Sequence, residues 1–223
     1  MIKAVIFDLD GVIADTEPIQ ERARNELLRE FGLPAEKMSA EAIGRGKREW
    51  WESIVREYGL PYTGEEVAVR DFTLCLRYIK EMHLAPTEGV CDLLQYLRSS
   101  NIKAAVASSS DRFYVESVLK LMRLEEYFCG KACGDEVDAS KPAPFIYERA
   151  LALCGVRAED ACAVEDSDTG AQAANAAGIL CVGYDSPKTA VKQSFVLCEY
   201  KAQTMQEILE YIGKIHEHGF NRR

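Results

Sequence analysis

Asp8 and Asp10 flank a single residue at the point where the apolar run of residues 2–7 stops. Two carboxylates this close can divide the work of a nucleophile and of a general acid and base. They also repel each other unless a cation offsets their charge. A third acidic group would complete an all-oxygen magnesium site, because magnesium takes hard oxygen ligands and keeps several waters. Glu165-Asp166 supplies it at the end of a second apolar run, residues 161–164. An isolated Asp-x-Asp is a pair of solvated turn carboxylates; beside a second acidic strand end it becomes a site. Two more pieces suit a phosphate. Ser108, ending the run of residues 102–107, offers a hydroxyl beside backbone amides near a helix start. Lys141, in Ser140-Lys141-Pro142-Ala143-Pro144, offers a cation next to another helix start. Alone, Ser108-Ser109-Ser110 is an ordinary loop and cap, and a lone lysine is usually solvated; the set gives each its value.

The elements that must carry these groups follow from hydrophobic periodicity. Residues 2–7 are short, apolar and rich in β-branched side chains, the signature of a buried strand with its functional residues at the carboxyl end. Similar runs recur at residues 102–107, 161–164 and 179–182, with helical stretches at 89–99, 113–122, 144–154 and 169–177. That alternation predicts parallel βαβ units and so an α/β fold, a doubly wound, Rossmann-like parallel-sheet core. Such sheets bind ligands in the crevice beyond the carboxyl ends of their strands. Residues 16–82 break the alternation and contain no convincing strand. Ile19, Ala23, Leu27 and Phe31 repeat at i+4 after Pro18, and Gly32 with Pro34 ends the pattern. Trp50, Trp51, Ile54, Val55 and Tyr58 form a second amphipathic stretch, and Phe72, Cys75, Leu76, Ile79 and Met82 a third. The expectation is an α-helical cap of residues 16–82 above a discontinuous core of residues 1–15 and 83–223.

Bulk properties narrow the partners. The 223 residues are 48% hydrophobic and 28% charged, ordinary for a globular chain, and the formal net charge is −9. That charge argues against nucleic acid, which usually demands a basic face. The first apolar run meets Asp8 too soon to be a membrane span or a signal segment. The eight cysteines show no paired metal-type spacing, so reduced thiols and a cytoplasmic location are expected.

Asp8-Leu9-Asp10-Gly11-Val12-Ile13-Ala14-Asp15-Thr16, Ser108, Lys141-Pro142 and Glu165-Asp166-Ser167 together resemble the four ordered motifs of the haloacid dehalogenase (HAD) superfamily. The helical insert, the Ser-Lys-Pro-Ala-Pro segment and the Glu-Asp-Ser segment resemble its β-phosphoglucomutase-like phosphatase branch, over essentially the whole chain. The resemblance implies that Asp8 attacks phosphorus and becomes an aspartyl-phosphate, while Asp10 serves as acid and then base. It implies Mg2+ held by Asp8, the Asp10 main-chain carbonyl and Asp166, with Glu165 holding the metal's waters. It places Ser108, Ser109, Lys141 and Gly11 at the phosphoryl group, and Gln20, Arg45, Lys47 and Trp50 in the cap near substrate.

Departures from the mutases of that branch favour hydrolysis. Where they carry a cap histidine this chain has Gln20; where they carry a basic pair it has Ile43 and Lys47; and Asp111 replaces a lysine. A negative charge at Asp111 would disfavour a second phosphate. Arg45, Lys47 and Arg48 precede the Trp50 helix, where cations are disfavoured, so an anionic ligand would relieve them; a solvated basic turn is the plainer reading. One of the two adjacent tryptophans could face substrate. Asp168 is expected as a helix N-cap, and His83, His216 and His218 as surface residues. The leading expectation is a monomeric phosphatase acting on a small phosphorylated metabolite, most simply a sugar phosphate. A sugar-phosphate mutase is the alternative, and a non-catalytic phosphometabolite-binding protein a remote one.

Overall fold

The structure, a computed structural model, describes residues 1–40, 42, 46–187 and 192–218. Ile43, Gly44 and Arg45, and residues 219–223, lie outside the described residues. Six parallel strands form one sheet: β1 (Ala4–Phe7), β2 (Lys103–Ser108), β3 (Phe128–Cys133), β4 (Ala161–Glu165), β5 (Leu180–Tyr184) and β6 (Tyr200–Ala202). The strand order is β3-β2-β1-β4-β5-β6. The chain winds outward from β1 to β3, then returns to the other side of β1 to build β4 to β6. The crevice between β1 and β4 is therefore the topological switch point, where open parallel sheets bind ligands.

Strand β1 is buried on both faces, as a central parallel strand must be. Val5 and Phe7 enter one apolar layer and Ala4 and Ile6 the other, so the alternation of the pleat divides the core in two. The first layer is bulky and packs α5 (Val90–Ser99), α6 (Arg112–Leu121) and α9 (Met205–His218) against the sheet. Fully burying a side chain such as Phe7 there stabilises by about 1.5–3 kcal/mol. On the second face Ala105, Ala107, Ala161 and Ala163 are small, which lets α7 (Phe145–Cys154) and α8 (Asp168–Ala176) come close to the strands.

Between β1 and α5 the chain makes four helices: α1 (Glu17–Glu30), α2 (Ala35–Ala40), α3 (Lys47–Tyr58) and α4 (Gly64–Glu81). They enclose an apolar cluster of their own, built on Leu27, Leu28, Trp50, Trp51, Ile54 and Val67. Helix α4 starts with a full capping box, in which Thr63 and Glu66 satisfy each other's backbone N–H groups. The short α2 has no counterpart in the periodicity, because six residues are too few to show one. Strands β3 and β6 were also beyond it: β3 carries Gly130 and Lys131 and β6 is three residues long.

All eight cysteines are free. Two pairs of sulfurs nevertheless approach each other, Cys129 to Cys154 at 3.6 Å and Cys181 to Cys198 at 3.7 Å. His216 is half-buried with Nδ1 3.0 Å from the Ile2 carbonyl, so it ties α9 to the start of β1. Among the described residues no helix is long and apolar enough to cross a membrane.

Candidate active site

Every strongly polar group expected to do chemistry lies at the carboxyl end of β1, β2 or β4, or on a helix start facing them. Asp8 follows β1 and its N–H still donates to the Val164 carbonyl at 3.0 Å, so the ladder fixes its backbone. Its side chain is nearly buried and accepts from Lys141 Nζ at 2.6 Å. Lys141 reaches in from the turn before α7, across a cis Lys141–Pro142 bond, and also donates to Glu165 Oε1 at 2.5 Å. Glu165, the last residue of β4, is wholly buried and accepts from the Tyr147 hydroxyl at 2.7 Å and from Ser167 Oγ at 3.2 Å. Ser167 caps α8 by accepting from the Gly170 N–H at 3.0 Å. A Cβ at Gly170 would stand 2.0 Å from the Glu165 carboxyl, so only glycine lets this helix start sit against that side chain.

Carboxylate oxygens of Asp8, Glu165 and Asp166 all lie within 4.8 Å of one another. Burial pushes the Asp8 carboxyl up to about 7 even though Lys141 pulls it down, with Glu165 and Asp10 adding to the rise. Burial, then Asp8 and Glu165, likewise hold the Asp166 carboxyl well above the ordinary carboxylate range. One lysine does not balance this much negative charge, and the donors are all oxygen, which is the chemistry a magnesium ion fits. Glu165 is spent on Lys141, Tyr147 and Ser167, so Asp8 and Asp166 present the free carboxylate oxygens. Gly11, at φ +85°, turns the chain beneath Asp166, and a Cβ there would meet Asp166 Oδ2 at 2.0 Å. Here the glycine shapes the acidic cluster.

Asp10 is held separately. Its Oδ1 accepts from Thr16 Oγ1 at 2.6 Å and Gln20 Nε2 at 2.8 Å, and its Oδ2 from Ser110 Oγ at 2.9 Å. These donors, with the Tyr114 hydroxyl more distant at 3.5 Å from Oδ1, fix the carboxylate toward the cleft between core and cap, a cavity of about 140 Å³ that Asp8, Asp10, Lys141 and Gln20 line. Ser109 and Ser110 line the same cleft. Ser108 is fully buried and its Oγ accepts from the Ser110 N–H at 3.1 Å, so it holds the turn that presents its two neighbours.

The cap residues depart from expectation. Lys47 lines the cleft, but its Nζ is held by Asp71 Oδ1 at 2.5 Å, and Trp51 Nε1 donates to the other Asp71 oxygen at 2.8 Å. Arg48 makes a two-nitrogen clamp on Asp111, at 2.7–3.0 Å, and reaches Glu65 at 3.0 Å. The helix-start cations are thus neutralised by the protein, and so is the Asp111 charge. Trp50 does not face substrate: it is 2% exposed, with its ring 4.6 Å from that of Trp51. Packing decides this, because α3 needs both large rings to fill the cap core. Arg45 lies outside the described residues. Asp168 is not the N-cap of α8; Ser167 is, and Asp168 instead accepts from the N–H groups of Ser194 and Phe195 at 2.9 and 2.7 Å.

Among the residues of the cleft that sequence reasoning missed are two charged ones. Glu17 and Arg24 line it together with Gln20. Positions 17, 20 and 24 follow the i, i+3, i+7 spacing of one helix stripe, beside the apolar Ile19, Ala23 and Leu27 stripe, and that spacing was the available signal. Tyr147 gave none, since an aromatic on an amphipathic helix is usually core.

A buried carboxylate with a lysine beside it, an acidic metal-type cluster and a second aspartate aimed at the cleft come together at the sheet's switch point. The family pattern described as haloacid dehalogenase-like hydrolase matches residues 2–178, and the chain belongs to that family. It is an enzyme of the family's phosphatase class, with the doubly wound core that its solved relatives share. The chain is 32% identical over 189 residues to the phosphorylated carbohydrates phosphatase of Thermotoga maritima, covering 80% of this chain and 82% of that one. It is 28% identical over 218 residues to the β-phosphoglucomutase of Bacillus subtilis, covering 94% and 95% of the two chains. The crystal structure of CbbY from Rhodobacter sphaeroides in complex with phosphate superposes with a TM-score of 0.83 at 28% identity, covering 93% of this chain and 96% of that one.

Proposed function

We propose that this enzyme hydrolyses a small phosphorylated sugar through an aspartyl-phosphate on Asp8. The observation that carries the reading is the Asp8–Lys141 contact of 2.6 Å at the sheet's switch point, with Asp10 fixed separately toward the same cleft. Asp8 attacks phosphorus in line as the bond to the leaving oxygen breaks, and the Asp10 carboxyl gives that oxygen its proton. Water then attacks the phosphorus of the acyl phosphate while the Asp10 carboxylate takes its proton, which frees phosphate and restores Asp8. Lys141 holds the transferring oxygens and offsets their charge against the carboxylates. Asp8 and Asp166 would hold Mg2+, which when bound supplies the positive charge that lets an anion approach a carboxylate.

The names of the relatives support a sugar phosphate: a phosphorylated carbohydrates phosphatase in Thermotoga maritima and a hexitol phosphatase in Escherichia coli. The Bacillus subtilis β-phosphoglucomutase, which matches over nearly the whole length, favours a sugar-phosphate mutase as the second reading. Hydrolysis fits the cleft better, since Lys47 and Arg48 are committed to Asp71 and Asp111 and leave no basic pair among the described residues for a bisphosphate. A screen of phosphorylated sugars and polyols for phosphate release, with and without magnesium, tests the reading. Asp8→Asn should lose at least about a thousandfold in rate. Turnover retained by that variant would sink the mechanism, and conversion of a hexose phosphate to its isomer without phosphate release would establish the mutase.

A further inference from the structure

Among the basic side chains lining the cleft, two are already matched by acids. Lys141 is held by Asp8 and Glu165, and Lys47 by Asp71. Arg48, behind Lys47, is matched by Asp111 and Glu65. Arg24 is different. It is 7% exposed and lines the cleft, and no carboxylate of the described residues comes within ion-pair distance of it. Its Nη1 donates to the Ser39 carbonyl at 3.0 Å and to Ser39 Oγ at 3.2 Å, and the guanidinium lies 5.6 Å from the centre of the Trp50 ring. Those contacts fix one nitrogen and the plane of the group. They leave the Nε–Nη2 edge, the fork that grips an oxyanion through two parallel hydrogen bonds, without an acceptor among the described residues.

A buried guanidinium that is always charged is costly unless an anion meets it. The fold accepts that cost in the cap, facing the acidic core. We infer that Arg24 selects the substrate, and that the substrate carries a carboxylate at the end remote from its phosphate; the inference rests on the phosphatase reading above. A carboxylate fits better than a second phosphate. One fork matches one carboxylate, whereas a second dianion would share the cleft with Asp8, Asp10 and Glu17 and find, among the described residues, a single unmatched cation. Glu17, about two helical turns from Arg24 along α1, is placed to accept from a sugar hydroxyl between the two ends. The preferred class is therefore a phosphorylated sugar acid.

The test compares three substrates that differ only at the remote end: a phosphorylated aldonic acid, the matching phosphorylated alditol and the matching bisphosphate. The intact enzyme with magnesium should prefer the acid over the alditol by about tenfold or more in kcat/KM. Arg24→Gln should erase most of that preference, through KM for the acid, with a much smaller loss on the alditol. Arg24→Lys keeps the charge without the fork and should keep part of the preference, which also guards against a folding defect in the glutamine variant. Ser39→Ala, which removes one anchor but leaves the cation, should still prefer the acid. Equal rates on acid and alditol, a preference that survives Arg24→Gln, or a bisphosphate turned over fastest would each overturn the inference. Thermal shifts of the Asp8→Asn protein with the same three compounds read the preference without turnover, so a failure of the phosphatase reading is told apart from a failure at Arg24.

Discussion

Among the described residues two buried lysines meet carboxylates, one in the cap and one in the core, and the two arrangements are finished to different degrees. In the cap, Lys47 meets Asp71 at 2.5 Å and the indole N–H of Trp51 satisfies the other Asp71 oxygen. One cation faces one anion, and the pair is buried where the cap meets the cleft. In the core, Lys141 meets Asp8 and Glu165, and Asp166 crowds the same oxygens. That charge is in surplus, and the Asp8 carboxyl rises to about 7 as burial and its acidic neighbours outweigh Lys141. The cap pair is complete and serves the fold. The core pair is incomplete and open to a metal ion and a phosphate. Geometry alone does not separate a structural ion pair from a catalytic one, since both distances are short; the balance of charge around them does.

Three changes would break or sharpen this contrast. The largest effect should come from Lys141→Met, which removes the one cation from the acidic cluster: phosphate release should fall by about a thousandfold, equivalent to roughly 4 kcal/mol of transition-state stabilisation. Steady-state kinetics at saturating magnesium measures it, and a loss below tenfold would place Lys141 outside the chemistry. Next, Asp71→Asn leaves Lys47 buried without its anion and should destabilise the protein by about 3–5 kcal/mol, with a fall in kcat far smaller than at Lys141. Denaturant unfolding read by tryptophan fluorescence suits this variant, because the acceptor of the Trp51 indole changes from a carboxylate to an amide at the same time. A collapse of kcat with unchanged stability would reverse the assignment of the two pairs.

The smallest effect is in pH. A carboxyl raised from the ordinary 3.8 to about 7 binds a proton more tightly in the folded state, so the metal-free protein gains stability below the lower value and loses it as pH rises through the upper one. Asp8→Asn removes that dependence. The variant should therefore gain on the wild type between pH 4 and 7 by on the order of 2–4 kcal/mol, seen as a growing difference in Tm, and magnesium should shrink the gap at neutral pH. A difference in Tm that stays flat with pH would show that Asp8 titrates as an ordinary surface carboxylate.

Much of the catalytic centre was legible before any coordinates, because its residues sit at the ends of apolar runs. Asp8 after residues 2–7 and Asp166 after residues 161–165 could meet only if those runs were neighbouring parallel strands, and β1 and β4 are paired. The cap was legible as helical and no further. Arg45, Lys47 and Arg48 looked like one basic turn in search of an anion, yet Lys47 and Arg48 find their anions 24 and 63 residues away, at Asp71 and Asp111. Trp50 looked as available to substrate as Trp51, and the packing of α3 took both. Arg24 passed unnoticed among the charges of α1 because its exceptional feature, burial without an acid among the described residues, is a property of what surrounds it.

The division has a physical cause. The sequence by itself determined the parallel core, the pair of aspartates at the end of its first strand, and the acidic partner at a second strand end. All of these follow from hydrophobic periodicity and from residues a few positions apart, and local chain geometry transmits such information directly. Only the tertiary structure decided which cations are spent and which are free, because ion pairing and desolvation depend on groups brought together from distant parts of the chain. That is why Asp8 could be named from its neighbours in sequence, whereas the substrate-reading role inferred for Arg24 required the fold.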